Sequence, residues 1–238
     1  MLQLGMIKGV LFDFNGVLLL DTKWHMEAWN DLSIYVRGFP MSDEEAHEQV
    51  HGRTPADTLK YLLGKEPTAE ESKELLDRKE TLYQEVCLRH GAEFSINDGA
   101  IKLFELLEQN GIKKTIATSS PEVNVKFYYK HLGLEKWFPF ESIVFADGTF
   151  PGKPAPDIFL KAAEKINVPP ENCMVIEDAG SGVAAAKAAG VAKIALLLTE
   201  DNKGIENKVS VDTVVHNLAE ITLKDLEDSV SIKKETGN

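Results

Sequence analysis

Acidic side chains follow two apolar segments of the chain, and they are the residues best suited to catalysis. Asp13 follows one such segment, and Glu177 and Asp178 follow another much later in the chain. Between them, Lys153 stands in a Gly-Lys-Pro sequence. Carboxylates can ligate a divalent cation or attack an electrophile, and a lysine can neutralise an anion bound beside them. The set predicts chemistry on an anionic group, assisted by a cation.

The apolar segments are predicted to be strands of a parallel sheet, because they alternate with helical patterns. Parallel neighbours need a crossover connection, which is usually a helix. The predicted strands are the segment before Asp13 and residues 113–118, 142–145, 173–176, 191–198 and, at an edge, 213–215. Helices are predicted over residues 98–110, 122–131, 157–166 and 182–189. This pattern favours an α/β fold, a Rossmann-like sheet with helices on both faces.

Residues 21–90 have a different pattern, with helices and no good strand. The predicted helices cover residues 24–36, 42–50, 54–63 and 68–88, with Ser42 and Thr54 as N-caps. Because this block interrupts the α/β pattern directly after the first strand, it is predicted to be an inserted helical cap. The predicted domains are a core of residues 1–20 and 91–228, a cap of residues 21–90 and a flexible polar tail of residues 229–238.

The carboxyl ends of the strands are where open parallel sheets bind their ligands. The polar residues predicted to meet there are Asp13, Asn15, Thr118, Ser119, Ser120, Asp147, Lys153, Glu177 and Asp178. Ser119 and Ser120 also precede Pro121, so they suit capping of the next helix. Tyr128 lies at a helical spacing from other aromatic residues and is assigned to packing.

The composition of the 238-residue chain excludes several classes of protein. Its 43% of hydrophobic residues excludes a disordered chain. Its 38 acidic and 26 basic residues leave a net charge of −12, which argues against a basic nucleic-acid-binding face. Cys87 and Cys173 lie far apart without metal-ligand spacing, so free thiols are expected. No apolar run approaches the roughly 20 residues of a membrane span, and we expect a cytoplasmic protein, with a monomer favoured.

Four segments together resemble the haloacid dehalogenase-like (HAD) superfamily of phosphatases and phosphotransferases. Residues 13–17, Asp-Phe-Asn-Gly-Val, are similar to its Asp-x-Asp-Gly-Thr/Val motif, and Thr118 ends the strand of its second motif. Residues 152–157, Gly-Lys-Pro-Ala-Pro-Asp, resemble its lysine motif, and residues 176–179, Ile-Glu-Asp-Ala, its acidic metal motif. Their order over essentially the whole chain is far more specific than any one motif. The insertion after the first strand resembles that of the β-phosphoglucomutase-like branch.

The resemblance implies a role for each matched residue. Asp13 would be the nucleophile that forms an aspartyl-phosphate. A Mg²⁺ cofactor would be held by Asp13, by the main-chain carbonyl of Asn15 and by Asp178, with Glu177 assisting. Contacts to the phosphate or to the rest of the substrate are implied for Thr118, Ser119 and Lys153 in the core and for His25, Arg53 and Lys79 in the cap. These roles agree with the needs of phosphoryl transfer, which are a nucleophile, a cation and donors to the equatorial oxygens.

Asn15 departs from the family pattern, which places a second aspartate there as general acid and base. An asparagine keeps the main-chain carbonyl for the metal but cannot exchange a proton at neutral pH. General acid–base catalysis typically contributes about 10²–10⁴-fold. Three interpretations stay open: an introduced substitution, a substrate whose leaving group needs little protonation, or another acid/base such as His25.

The sequence therefore predicts a Mg²⁺-dependent phosphatase of the HAD type. Its expected substrate is a small phosphorylated metabolite, and the resemblance implies a sugar phosphate. A phosphomutase similar to β-phosphoglucomutase is one alternative, and a catalytically impaired protein that binds a phosphometabolite is another. No nucleic-acid or membrane partner is expected.

Overall fold

A computed structural model describes residues 5–50 and 53–228. The strands in these ranges are β1 (Gly5–Met6), β2 (Gly9–Phe12), β3 (Lys113–Pro121), β4 (Val144–Ala146), β5 (Cys173–Glu177), β6 (Lys193–Leu197), β7 (Thr213–Val215) and β8 (Glu227–Asp228). Six of them form a parallel sheet in the order β4-β3-β2-β5-β6-β7, and β1 pairs antiparallel with β8. The predicted parallel sheet is confirmed, with β7 at one edge.

The described residues form two compact units. The helical unit is Asp21–Ser95, and the α/β unit contains the remaining described residues. The helical unit contains α1 (Thr22–Arg37), α2 (Asp43–Gln49), α3 (Pro55–Leu63) and α4 (Ala69–Arg89). The α/β unit contains α5 (Asp98–Gln109), α6 (Glu122–His131), α7 (Asp157–Lys165) and α8 (Gly180–Ala188).

Helices cover both faces of the six-stranded sheet. Both central strands, β2 and β5, are buried along their whole length. Leu11 belongs to an apolar cluster with Phe159 of α7 and Val183 of α8. The next residue, Phe12, packs edge-on against Phe104 of α5, with ring centroids 5.3 Å apart. Because successive strand side chains point to opposite faces, α7 and α8 cover one face and α5 covers the other.

The helical unit has its own apolar core and well-defined helix starts. The core cluster consists of Trp29, Leu32, Met41, Leu59, Leu62 and Leu75. Ser42, Thr54 and Thr68 each accept the backbone N–H of the third helical residue, whose side chain accepts the cap residue's N–H in return. These reciprocal caps satisfy N–H groups that the first helical turn leaves without partners. The predicted caps Ser42 and Thr54 are confirmed.

The second junction between the units lies after Ser95, five residues beyond the boundary after residue 90 that the sequence pattern predicts. The chain leaves α4 through a 3₁₀ turn, Gly91–Glu93. The Phe94 ring then lies edge-on to Trp24 of α1, with centroids 6.1 Å apart. This packing keeps the five extra residues with the helical unit.

Among residues 5–50 and 53–228, no helix has the length and apolar character that crossing a membrane requires. The expected flexible tail, residues 229–238, lies outside the described residues.

Candidate active site

Three carboxylates meet at the carboxyl ends of the adjacent strands β2 and β5. Phe12 is in register with Ile176, and the backbone N–H of Asp13 donates to the Ile176 carbonyl at 3.0 Å. Asp13 and Glu177 therefore leave the sheet side by side, and Asp178 follows at once. Single oxygen atoms of Asp13, Glu177 and Asp178 all lie within 4.8 Å of one another. The parallel pairing of the two central strands builds this cluster.

Lys153 lies between two of these carboxylates. Its Nζ is 2.5 Å from Asp13 Oδ1 and 2.6 Å from Glu177 Oε1, and its side chain is 7% exposed. Glu177 Oε2 accepts the backbone N–H groups of Asp178 (3.0 Å) and Ala179 (3.1 Å). Both oxygens of Glu177 are thus engaged within the protein, which makes it a support for the lysine and for the following turn.

The electrostatics of the cluster show a shortage of positive charge. Burial raises the pKa of Asp13 from 3.8 to about 7, while Lys153 opposes the rise and Glu177 adds to it by repulsion. Burial, and then repulsion from Glu177 and Asp13, also holds the pKa of Asp178 well above its usual range. Burial lowers the pKa of Lys153, but Asp13 and Glu177 more than offset this and raise it. The ammonium is therefore charged.

The donor set of the cluster fits a hard divalent cation. Three carboxylates face one ammonium, so two negative charges would remain if all three were ionised. Ions such as Mg²⁺ and Ca²⁺ prefer oxygen ligands of this kind. Burial and repulsion favour the protonated forms of Asp13 and Asp178. A bound divalent ion would therefore have its largest effect on these two carboxylates, by favouring their ionised forms.

A cavity of about 260 Å³ opens at this cluster. Its lining consists of Asp13, Asn15, Thr118, Ser119, Lys153, Glu177, Asp178, Ala179 and Ser181. Seven of the ten predicted site residues are in this group. The other three, His25, Arg53 and Lys79, belong to the helical unit.

In the helical unit, two of the three predicted residues lie together. Lys79 Nζ is 3.0 Å from His25 Nδ1, and the His25 ring stacks on Tyr83 at 4.0 Å between centroids. Lys79 is buried, whereas Arg53 is exposed and its Nε donates to the Glu48 carbonyl at 3.1 Å. Their roles in substrate binding stay predictions.

The two serines near the end of β3, Ser119 and Ser120, do not cap the next helix. β3 runs on to Pro121, which is itself the N-cap of α6 and has no side-chain hydrogen bond there. Ser119 lines the cavity, and Ser120 Oγ donates to Asn15 Oδ1 at 2.6 Å. The expectation of capping is therefore wrong, because the strand extends three residues beyond its predicted end.

Tyr128 has a polar role that its aromatic pattern did not predict. It packs as expected, stacking on Phe14 with centroids 4.4 Å apart. Its hydroxyl oxygen also accepts a hydrogen bond from Asn15 Nδ2 at 3.0 Å. Helical spacing predicts that such a ring is buried, but it does not identify the partner of the hydroxyl group.

Two glycines allow the backbone to approach the carboxylates. A Cβ atom at Gly16, where φ is +82°, would collide with the Asp178 carboxylate, and one at Gly182 would collide with the Glu177 carboxylate. Gly182 is the second glycine of the Gly-Ser-Gly sequence that begins α8. It is Gly182 that makes room for Glu177, so that the acid can reach Lys153.

Asn202 connects the turn at Asp178 to the neighbouring strand. Its Nδ2 donates to the carbonyls of Asp178 and Leu197, both at 2.9 Å, and its Oδ1 accepts the Thr199 N–H at 2.7 Å. The amide thereby fixes the turn that carries Asp178. No motif in the sequence indicated this residue.

Comparisons with known proteins agree on one family. A family model described as haloacid dehalogenase-like hydrolase matches residues 7–190. The phosphorylated carbohydrates phosphatase of Thermotoga maritima is 32% identical over 189 residues, which is 79% of this chain and 84% of that protein. The β-phosphoglucomutase of Bacillus subtilis is 30% identical over 227 residues, 93% of this chain and 95% of that protein. The crystal structure of a HAD hydrolase, family IA, variant 3, from Entamoeba histolytica has a TM-score of 0.86 at 37% identity, covering 92% of this chain and 97% of that one.

The two glycines of α8 provide a matched test of the site's packing. Gly182→Ala should displace the Glu177 carboxylate and lower the free energy of unfolding by about 1–3 kcal/mol. Gly180→Ala should be tolerated, because its Cβ would meet only Val209 and Ile205 at 3.8 and 3.9 Å. Urea unfolding of both variants measures the difference. Equal stabilities would contradict the close approach of Gly182 to Glu177.

Proposed function

The chain belongs to the haloacid dehalogenase-like hydrolases, and from this membership we propose that it is a Mg²⁺-dependent phosphatase of small phosphorylated metabolites. The observation that carries the proposal is the environment of Asp13. Its carboxylate contacts Lys153 at 2.5 Å and lines a cavity together with Asp178 and Thr118. This set supplies a nucleophile, positive charge and a hydroxyl donor for a phosphoryl group.

The names of two relatives support the proposed substrate class. One is named for the phosphorylated carbohydrates on which it acts, and another is a β-phosphoglucomutase. We therefore propose a sugar phosphate or a similar small phosphate ester. Thr118 and Ser119 would donate to its phosphoryl oxygens, and Lys153 would neutralise their charge. His25, Arg53 and Lys79 of the helical unit are proposed to contact the rest of the substrate.

The first half-reaction transfers the phosphoryl group to Asp13. A carboxylate oxygen of Asp13 attacks phosphorus, the bond between phosphorus and the ester oxygen breaks, and the alkoxide departs with that electron pair. Asp13, Asp178 and the main-chain carbonyl of Asn15 are the groups proposed to hold Mg²⁺. When bound, this ion would neutralise charge on the phosphoryl oxygens. Glu177 keeps Lys153 and the turn at Asp178 in place.

The second half-reaction regenerates the Asp13 carboxylate from the aspartyl-phosphate. Water attacks the phosphorus of the acyl phosphate, the bond to Asp13 breaks, and inorganic phosphate leaves. Lys153 again stabilises negative charge, on the phosphate and on the released carboxylate. Both half-reactions thus use the same side chains.

Asn15 sets the limits of this chemistry. Its amide cannot protonate a leaving alkoxide or deprotonate water, so esters with acidic leaving groups should react best. His25 as a replacement acid/base and an introduced substitution at this position are the two other interpretations. If Asn15→Asp gave no gain in turnover with alkyl phosphates, His25 would be favoured as the acid/base.

Two other functions share the same site. A phosphomutase is favoured by the full-length similarity to a β-phosphoglucomutase, and it would require a sugar bisphosphate as activator. Asn15 favours a binding protein, because a protein that only binds a phosphometabolite needs the cavity and the cation but no group that transfers a proton. Phosphate release without added bisphosphate identifies a phosphatase. Mg²⁺-dependent binding without turnover identifies a binder.

A phosphate-release screen with and without Mg²⁺ tests the proposed function directly. The wild-type chain should release phosphate from small esters only with the cation, and Asp13→Asn should abolish release and formation of the phosphoenzyme. Asp147→Asn is a suitable control, because this exposed carboxylate does not line the cavity. Retained turnover in Asp13→Asn would exclude Asp13 as the nucleophile.

The effect of Asn15→Asp should depend on the leaving group. With alkyl phosphates, a restored acid should raise turnover by about 10²–10⁴-fold, and it should shorten the lifetime of the phosphoenzyme. With 4-nitrophenyl phosphate, whose leaving group needs no proton, phosphorylation of Asp13 should change little. If turnover of alkyl phosphates does not increase, Asn15 is not the cause of a defect, and His25→Ala becomes the decisive variant.

The raised pKa of Asp13 predicts that the effect of Mg²⁺ on stability depends on pH. Between its ordinary value of 3.8 and about 7, the metal-free folded chain holds a proton at Asp13 that the unfolded chain has lost, so this group's contribution to stability falls as pH rises through that window. Bound Mg²⁺ would replace the proton. The rise in Tm on adding Mg²⁺ should therefore be larger at about pH 8 than at about pH 5.5, and Asp13→Asn should reduce that difference to the part that arises from Asp178. An equal rise at both pH values would argue against Asp13 as a ligand.

A further inference from the structure

Asn15 is hydrogen-bonded at both ends of its side-chain amide. Its Oδ1 accepts from Ser120 Oγ at 2.6 Å, and its Nδ2 donates to the Tyr128 hydroxyl oxygen at 3.0 Å. Thr118 Oγ1 is 3.5 Å from the same Oδ1. Hydroxyl donors on one side and a hydroxyl acceptor on the other match the two different ends of an amide.

The two residues that hold Asn15 are themselves well fixed. Tyr128 is 1% exposed and stacks on Phe14, with ring planes 21° apart. Phe14 precedes Asn15 in the chain. Tyr128 therefore contacts this segment twice, through its ring at Phe14 and through its hydroxyl group at the Asn15 side chain. Ser120 is buried, and its backbone N–H donates to Thr118 Oγ1 at 3.0 Å. The amide is therefore supported by β3 and by α6.

Asparagine suits this environment for a specific chemical reason. Its NH₂ group can donate to Tyr128 while its oxygen accepts from Ser120. A carboxylate has no donor, so the Tyr128 hydroxyl would have to rotate and donate instead. The surroundings of position 15 are thus complementary to a neutral amide.

We propose that Tyr128 and Ser120 are positioning residues that hold the Asn15 amide at the cavity wall as a fixed hydrogen-bonding group for the phosphoryl group. The proposal rests on the phosphatase function proposed above. Asn15 lines the cavity, whereas Ser120 and Tyr128 are not among its lining residues. Both therefore act on the substrate through Asn15.

A double-mutant cycle tests whether Tyr128 acts through Asn15. Tyr128→Phe keeps the ring that stacks on Phe14 and removes the hydroxyl group. With Mg²⁺ and 4-nitrophenyl phosphate, this variant should lower kcat about tenfold and leave KM nearly unchanged, as expected for the loss of the one hydrogen bond that orients the Asn15 NH₂ group. In an Asn15→Ala background the same change should have no further effect.

Tyr129→Phe is the matched control. This residue is the next on α6, and its hydroxyl donates to the Phe138 carbonyl at 3.1 Å. It should keep wild-type kcat within about twofold. If Tyr128→Phe lowers kcat equally with Asn15 and with Ala at position 15, Tyr128 does not act through Asn15 and the proposal is overturned.

An NMR measurement separates this proposal from the proposed function. The side-chain NH₂ signals of Asn15 in ¹⁵N-labelled protein can be assigned by their loss in Asn15→Ala. They should shift and exchange faster with solvent in Tyr128→Phe and in Ser120→Ala, and stay unchanged in Tyr129→Phe. Unchanged signals in the first two variants would overturn the positioning role. Absence of turnover in every variant would instead overturn the proposed function, and the NMR signals would still decide which groups hold Asn15.

Discussion

The repulsion among three closely spaced carboxylates, two of them on buried residues, is the constraint around which the α/β unit is organised. Burial and mutual repulsion both favour the protonated form, as the raised pKa values of Asp13 and Asp178 show. Lys153 supplies the only positive charge in contact with the cluster among the described residues. The remaining negative charge is what a divalent cation or an electrophilic phosphorus would relieve. An arrangement of this kind costs stability, and such unfavourable charge clusters are typical of functional sites.

Much of the surrounding structure keeps this unfavourable cluster in place. Gly16 and Gly182 remove side chains that would push the carboxylates apart. Asn202 and the backbone N–H groups after Glu177 hold the turn at Asp178. None of these contacts involves the Asp13 carboxylate itself, yet each holds Glu177 or Asp178 beside it. Single changes here should therefore alter function and stability together.

The sequence was most informative where a local pattern has a direct structural meaning. The strands, the caps at Ser42 and Thr54, and the residues at the strand ends follow from hydrophobic periodicity and from side-chain chemistry. The contacts of Tyr128 and Asn202 were not predictable, because each depends on which side chain another element brings opposite to it. The boundary at Ser95 was missed for a similar reason, since the packing of Phe94 on Trp24 has no signature in the local pattern.

The register between β2 and β5 has a consequence for how this protein can change. Asp13 and Glu177 are neighbours only because Phe12 stands opposite Ile176. A slip of one residue would turn every side chain of one strand to the opposite face and would separate Asp13 from Glu177, the acid that supports Lys153. The same ladder of backbone hydrogen bonds therefore specifies both the centre of the fold and the spacing of the reactive charges. A substitution that shifts the register of either strand would therefore disturb both the fold and the site. Changes in substrate specificity are more easily accommodated in the loops and in the helical unit.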